Sequence, residues 1–304
     1  MPELQAFVAS LAARGSPQTL RRYQTACEHL VRECANKSLA EISTRDVQSS
    51  LSKLHARGMK PRSIATTLSA WRAWFRYLSK SNPAFTLDTF NGIRAPRAEK
   101  RLPNALTEVE AVRLLDAQAG DAQASGSQSD TGARDQAMFE LLYGCGMRVG
   151  ELVGLDVGDV LSTSGEIRVF GKGRKERVLP MGGSAQRALS TWMNERAALL
   201  KNSTHVAETA LFLGARGGRI DSTMVRRLLR LRAQQEGIAS HVHPHRLRHS
   251  FASHLLQASG DLRAVQELMG HASIASTQVY THLDFAHLAK VYDGAHPRAK
   301  KPAK

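Results

Sequence analysis

Apolar residues recur every three or four positions through the first 79 residues, the spacing that keeps one face of a helix dry. Leu4, Phe7, Val8 and Leu11 form a first stripe, ended by Gly15. Ser16-Pro17 is a helix start, an N-cap followed by proline at the first helical position. Leu20, Tyr23, Cys27, Leu30 and Val31 continue that second helix. After a short connector, Leu39 to Ile42, a third helix begins near Thr44, buries Val47, Leu51 and Leu54, and stops at Gly58. Lys60-Pro61 opens a fourth, with Ile64, Leu68, Trp71, Phe75 and Leu78 inward. The pattern predicts a four-helix domain of about 80 residues, within the usual domain range.

The periodicity is then lost. Residues 84–104 carry Pro96 and Pro103 among Arg94, Arg97, Lys100 and Arg101 and read as a basic linker. Thr107 and Glu110 make a capping box that starts a helix running through Leu115. Residues 118–133 are small and polar, an expected surface loop. Asp135 to Tyr143 is apolar-periodic, and Val149 to Leu152 starts another helix after Gly144 and Gly146. Glu166 to Phe170 alternates as a strand, GKGRKE turns, and Arg177 to Leu179 returns, a β-hairpin. Helices follow over 184–200 and 223–235, with a short buried strand at Leu211–Leu213 between them. Two more start near Pro244 and at Leu262, and a last short one carries Leu283, Phe285, Leu288 and Val291. The expected fold is mainly α: a helical domain over 1–83, a linker over 84–104, a mostly helical α/β domain with a small hairpin over 105–287, and a tail over 288–304.

Charge narrows the partner. The 304 residues hold 42 Lys+Arg against 27 Asp+Glu, a net charge of +15, which points to a polyanion and first to nucleic acid. Arg21, Arg22, Lys53, Arg57, Lys60, Arg62, Arg72 and Arg76 on the N-terminal helices, and Arg226, Arg227, Arg230 and Arg232 further on, are candidates for phosphate contact. Cys27, Cys34 and Cys145 are odd in number and lack CxxC spacing, which argues against disulfides or zinc and fits a reducing cytoplasm. No apolar run reaches the length of a membrane span, and the first residues show no signal-peptide pattern.

The candidate chemistry lies between Pro244 and Tyr280. His245 and Arg248, three apart, share one helix face ahead of Phe251, Leu255 and Leu256. Gly260 ends that run, Asp261 caps the next, and His271 follows Gly270 at its exit, nine residues before Tyr280. An always-charged bidentate donor, two imidazoles and a phenol suit attack on a phosphodiester. By spacing alone, a basic DNA-contacting helix with Tyr280 in a core is the equal alternative. The run His241, His243, His245, His249 and His254 lacks an acidic or cysteine cluster, and Pro244 interrupts it, so no metal site is expected.

HRLRHSFASHLL followed by LMGHASIASTQVYTH closely resembles the C-terminal signature of the tyrosine recombinases, the phage integrase family. YGCGMRVGELVGL resembles that family's first arginine box, with Cys145-Gly146-Met147 where Thr-Gly-Leu is more usual, and FGKGRKERVLP resembles its lysine-bearing hairpin. SPQTLRRYQTACEHL looks like part of its N-terminal core-binding domain, and 118–133 is an insert relative to the common pattern. The resemblance implies catalytic roles for Arg148, Lys172, His245, Arg248, His271 and the nucleophile Tyr280, with Glu151 supporting Arg148. It implies a 3′-phosphotyrosyl intermediate, a Holliday junction, and neither cofactor nor metal.

The match extends nearly end to end to the branch that resolves chromosome dimers. That branch implies double-stranded DNA with a dif-like site, a heterotetramer with a second, related recombinase, and activation by a DNA translocase. It also implies that the tail docks on a neighbouring protomer. A phage or transposon integrase and a non-catalytic DNA-binding regulator are the competing readings.

Overall fold

The computed structural model describes residues 1–12, 17–97, 105–116, 132–161, 163–171, 176–201, 209–270 and 282–299. The chain divides into two compact units, Met1–Arg101 and Leu102–Lys304.

The first unit holds helices α1 (Pro2–Ala12), α2 (Pro17–Glu33), α3 (Thr44–Ala56) and α4 (Pro61–Leu78). Each start has a local cause. Ser43 caps α3, its hydroxyl accepting from the Asp46 N–H while Asp46 accepts from the Ser43 N–H at 2.9 Å. Pro61 sits in the first turn of α4, where a missing N–H costs nothing. The stripes meet in one core containing Phe7, Leu30, Val47, Leu51, Ile64, Trp71 and Phe75. The stretch read as a linker contributes to it. A 3₁₀ turn at Asp88–Phe90 brings Phe90 and Ile93 into the core, and Arg72 donates to the Ile93 carbonyl at 2.7 Å. Lys53 and Arg57 are paired with Glu33. Arg21, Arg22, His29 and Arg32, with Thr25 and Thr66, line a cleft of about 350 Å³ on α2 and α4.

The second unit is built around α6 (Gly132–Gly144), which follows α5 (Glu108–Asp116). Every residue of α6 from Ala137 to Gly144 is buried, Glu140 included, so this helix is enclosed on all sides rather than along the single stripe its periodicity suggests. Around it lie α8 (Gly183–Lys201), α9 (Ser222–Gln235) and α10 (Pro244–Ser259). Short α7 (Val149–Gly154) and α11 (Leu262–Met269) carry the chain into and out of the candidate site. Strands β1 (Val160–Leu161), β2 (Glu166–Phe170) and β3 (Glu176–Pro180) form an antiparallel sheet in that order, with Ile167 opposite Leu179 and Val169 opposite Arg177. The expected hairpin is present, and β1 adds a strand too short to be read from alternation. Leu211–Leu213 is buried but makes only isolated bridges at its ends, Ala210 with Asp156 and Leu213 with Arg219.

One charged position differs from expectation. Arg232 is buried, its guanidinium 5.5 Å from the Phe139 ring centre, so it does not join Arg226, Arg227 and Arg230 on the exposed face of α9. Within the single chain, the described part of the tail packs on its own unit. Helix α12 (His282–Ala295) and the residues after it bury Leu288, Tyr292 and His296 in the second core. The cause is a prepared socket: Tyr292 accepts from the Gly182 N–H at 3.1 Å, His296 stacks on Tyr292, and Arg298 pairs with the buried carboxylate of Glu140. The 118–133 insert lies outside the described residues up to Thr131.

Candidate active site

The first segment to reach the site is the turn between α6 and α7. Gly146 has φ +59, and a Cβ there would meet the Phe251 ring at 2.4 Å. Only glycine permits this approach, which brings the Gly146 carbonyl to the guanidinium of Arg248. Arg148 then occupies the N-cap of α7 in an extended conformation. Its backbone N–H donates to Glu151 Oε2 at 2.9 Å, and its side chain donates to Glu151 Oε1 at 2.8 Å.

Glu151 is the buried centre of this arrangement, with its side chain 4% exposed. Arg177 on β3 adds one N–H to each oxygen, at 2.8 and 2.9 Å. Burial would raise the Glu151 pKa. The hydrogen bonds from Arg177 and from the Arg148 backbone outweigh it and hold the carboxyl down at about 2. The carboxylate is therefore charged throughout the neutral range and orients two guanidinium groups. The Arg148 side chain is 44% exposed, and among the described residues its remaining contacts are to the Gly270 and Met269 carbonyls, at 3.2 and 3.4 Å.

Arg248 comes from the second turn of α10. Pro244 starts that helix, and the His243 ring caps it by accepting from the Arg246 N–H at 3.1 Å. Arg248 is buried and donates to the carbonyls of Gly146 and Met269. Burial, and then the neighbouring charge of Arg148, lower its pKa to about 10, which leaves it cationic at pH 7. Arg148 and Arg248 thus share the Met269 carbonyl as an acceptor. Gly270 closes α11 in the left-handed conformation, φ 60, and directs the chain into residue 271.

Of the residues singled out in the sequence, Arg148, Glu151 and Arg248 come together here. His245 sits on the exposed first turn of α10, its ring parallel to that of His243 with centres 6.3 Å apart. Lys172, His271 and Tyr280 lie outside the described residues. Arg177 was not foreseen as part of the site. The signal available was alternation: it stands two before the buried Leu179 on β3 and opposite the buried Val169, so it shares their inward face. Among the described residues no group of His, Cys, Asp and Glu is arranged to hold a metal ion.

The family profile "Phage integrase family" matches residues 104–287, and "Phage integrase, N-terminal SAM-like domain" matches residues 4–82. The chain belongs to the phage integrase family. As a tyrosine recombinase it is an enzyme that breaks and rejoins DNA strands. Tyrosine recombinase XerC of Chromobacterium violaceum is 45% identical to it, covering 99% of this chain and 96% of its own. Tyrosine recombinase XerC of Ralstonia pickettii is 43% identical, covering 99% and 95%. Among solved structures, this recombinase shares its fold with the XerH site-specific recombinase in a post-cleavage complex, at TM-score 0.69 and 24% identity over 90% of this chain and 79% of that one. No helix among its described residues is long and apolar enough to cross a membrane.

Proposed function

We propose that this tyrosine recombinase is a XerC-type resolvase that acts in the cytoplasm on double-stranded DNA at a dif-like site. Its partner would be a XerD-type recombinase in a heterotetramer, with a DNA translocase as activator, and the biological role would be resolving chromosome dimers at cell division. Near full-length similarity to proteins named XerC supports the branch. The single observation that carries the chemistry is the convergence of Arg148 and Arg248 on one carbonyl, with a buried Glu151 behind Arg148.

In this reading the Tyr280 hydroxyl attacks the scissile phosphorus. A P–O bond to tyrosine forms, the P–O5′ bond breaks, and a 3′-phosphotyrosyl linkage and a free 5′-hydroxyl result. The phenol has a pKa near 10 and needs an acceptor for its proton, which His245 provides. Lys172 protonates the leaving 5′-oxygen. Arg148 and Arg248 balance the charge on the phosphorane, and His245 and His271 hydrogen-bond to it. The partner strand's 5′-hydroxyl then attacks the phosphotyrosine, and a Holliday junction forms. One phosphoester replaces another at each step, so the scheme calls for no nucleotide cofactor and no metal. The N-terminal unit would grip the duplex through α2 and α4, where the Arg21, Arg22 and Arg32 cleft lies.

The test is cleavage of an end-labelled dif-like duplex by the protein with and without a XerD-type partner. Partner-dependent exchange is expected at that site. Equal cleavage of unrelated duplexes, unaffected by the partner, would set the resolvase reading aside in favour of another integrase-family role.

A further inference from the structure

Arg177 has no role in the phosphate chemistry just described, yet it makes the most complete ion pair in the site. It lies on the return strand of the hairpin, five residues beyond Lys172, and its side chain is only 9% exposed. Each Glu151 oxygen accepts two N–H groups. Oε1 takes one from Arg177 and one from the Arg148 side chain, and Oε2 takes one from Arg177 and one from the Arg148 backbone. The carboxylate is thereby held by both arms of the Arg177 fork, a constraint that a single point charge cannot supply. The same guanidinium packs on the left-handed Gly270, where an added Cβ would stand 3.1 Å from Arg177 Nε and 3.2 Å from its Cζ. One side chain therefore touches the support of Arg148 and the residue that precedes His271, from the strand that follows Lys172 in sequence.

We propose that Arg177 is a positioning residue for strand cleavage: it fixes Glu151, and through it the outer edge of Arg148, against the Gly270 exit of α11. The inference rests on the reading of Arg148 as a phosphate clamp. Without the Arg177 fork, Glu151 retains only the two Arg148 donors and can turn with them. Arg148 then spends its donors on following the carboxylate, and its exposed edge is no longer aimed. A merely structural ion pair would instead stabilise the sheet and leave the charge preference of the reaction untouched.

The two are separated by substrate charge. Full-length protein is assayed in single turnover on a nicked half-site carrying either the normal phosphodiester or a neutral methylphosphonate at the scissile position. The methylphosphonate has no negative charge for a guanidinium to balance. Arg177→Lys is expected to slow phosphodiester cleavage by at least about tenfold, with half-site affinity within about twofold, because a bidentate contact is lost and no DNA contact is removed. On the methylphosphonate the slowing should shrink to under about threefold, as it should for Arg148→Lys. Glu151→Gln combined with Arg177→Lys should be no slower than the slower single variant, since residues acting as one unit are not additive. Arg177→Gln replaces the lysine variant if the latter does not fold.

Unchanged phosphodiester cleavage, or equal slowing on both substrates, would overturn the inference. If Arg148→Lys itself cleaves at the normal rate, the clamp reading fails first. If Arg148→Lys is slow and Arg177→Lys is not, only the role of Arg177 is lost.

Discussion

The guanidinium of Arg248, buried on α10, donates to the carbonyl oxygen of Met269, the last residue of α11 and two positions before His271. One arginine therefore ties the helix that carries His245 to the turn that delivers His271. Arg148 reaches the same carbonyl from its exposed side, at 3.4 Å. The two cations differ in what they hold, and their substitutions should differ accordingly.

Arg248→Lys removes the fork from two buried carbonyls, Gly146 and Met269. An unsatisfied buried group costs about 1–3 kcal/mol, so this variant should melt several degrees lower as well as losing cleavage. Arg148→Lys should lose cleavage with little change in melting, because its side chain is half open to solvent. Thermal melting beside a cleavage assay checks both, with duplex binding expected to fall only modestly in each.

Tyr292 belongs to the second core. Its ring is buried against Phe251 and His296, and its hydroxyl accepts from the Gly182 N–H. Tyr292→Phe should destabilise the second unit by about 1–3 kcal/mol while leaving covalent attachment to DNA intact. Chemical denaturation gives the first quantity and a nicked-duplex trap the second.

Arg298 is the counter-charge of Glu140, a carboxyl whose pKa is raised by burial, a rise that the bonds to Arg298 limit. Arg298→Ala leaves that charge buried without its main partner, which typically costs about 3–5 kcal/mol. Adding Glu140→Gln should recover part of the loss. Protease sensitivity of the tail, compared across the single and double variants, reads out the coupling.

His296 supplies a pH dependence. Burial, and then the proximity of His254 and Arg298, lower its pKa from 6.5 to about 3. The unfolded chain therefore binds the proton more readily between those values, and folding stability rises with pH there. Its contribution is fully present above about pH 6.5 and is lost as the pH falls toward 3. From pH 6.5 to 5 the loss should approach about 2 kcal/mol, at roughly 1.4 kcal/mol per pH unit for one proton. His296→Phe should flatten that slope in denaturant titrations at the two pH values.

What the sequence disclosed was mostly local. Caps such as Thr107 with Glu110, stops such as Gly260, and the hairpin at 166–179 act over a few residues, and the structure places them as read. Arg148 and Glu151 were likewise legible as an i, i+3 pair. The contacts that complete the site were not. Arg177 meets Glu151 across 26 residues, and Arg248 meets Gly146 across 102. Charged residues read by default as solvated, which hid the burial of Arg232 and the Glu140 socket for Arg298. Pattern gives the face a residue occupies; only packing gives its partner.

The central claim is that Tyr280 becomes joined to DNA. The direct measurement is incubation of the protein with an end-labelled, nicked duplex, followed by denaturing electrophoresis and mass analysis of the labelled peptide. The unaltered protein should give a denaturation-resistant adduct at Tyr280, and Tyr280→Phe should shift the duplex in a native gel but give no adduct. A covalent adduct formed by Tyr280→Phe, or one mapped to another residue of the unaltered protein, would contradict the account.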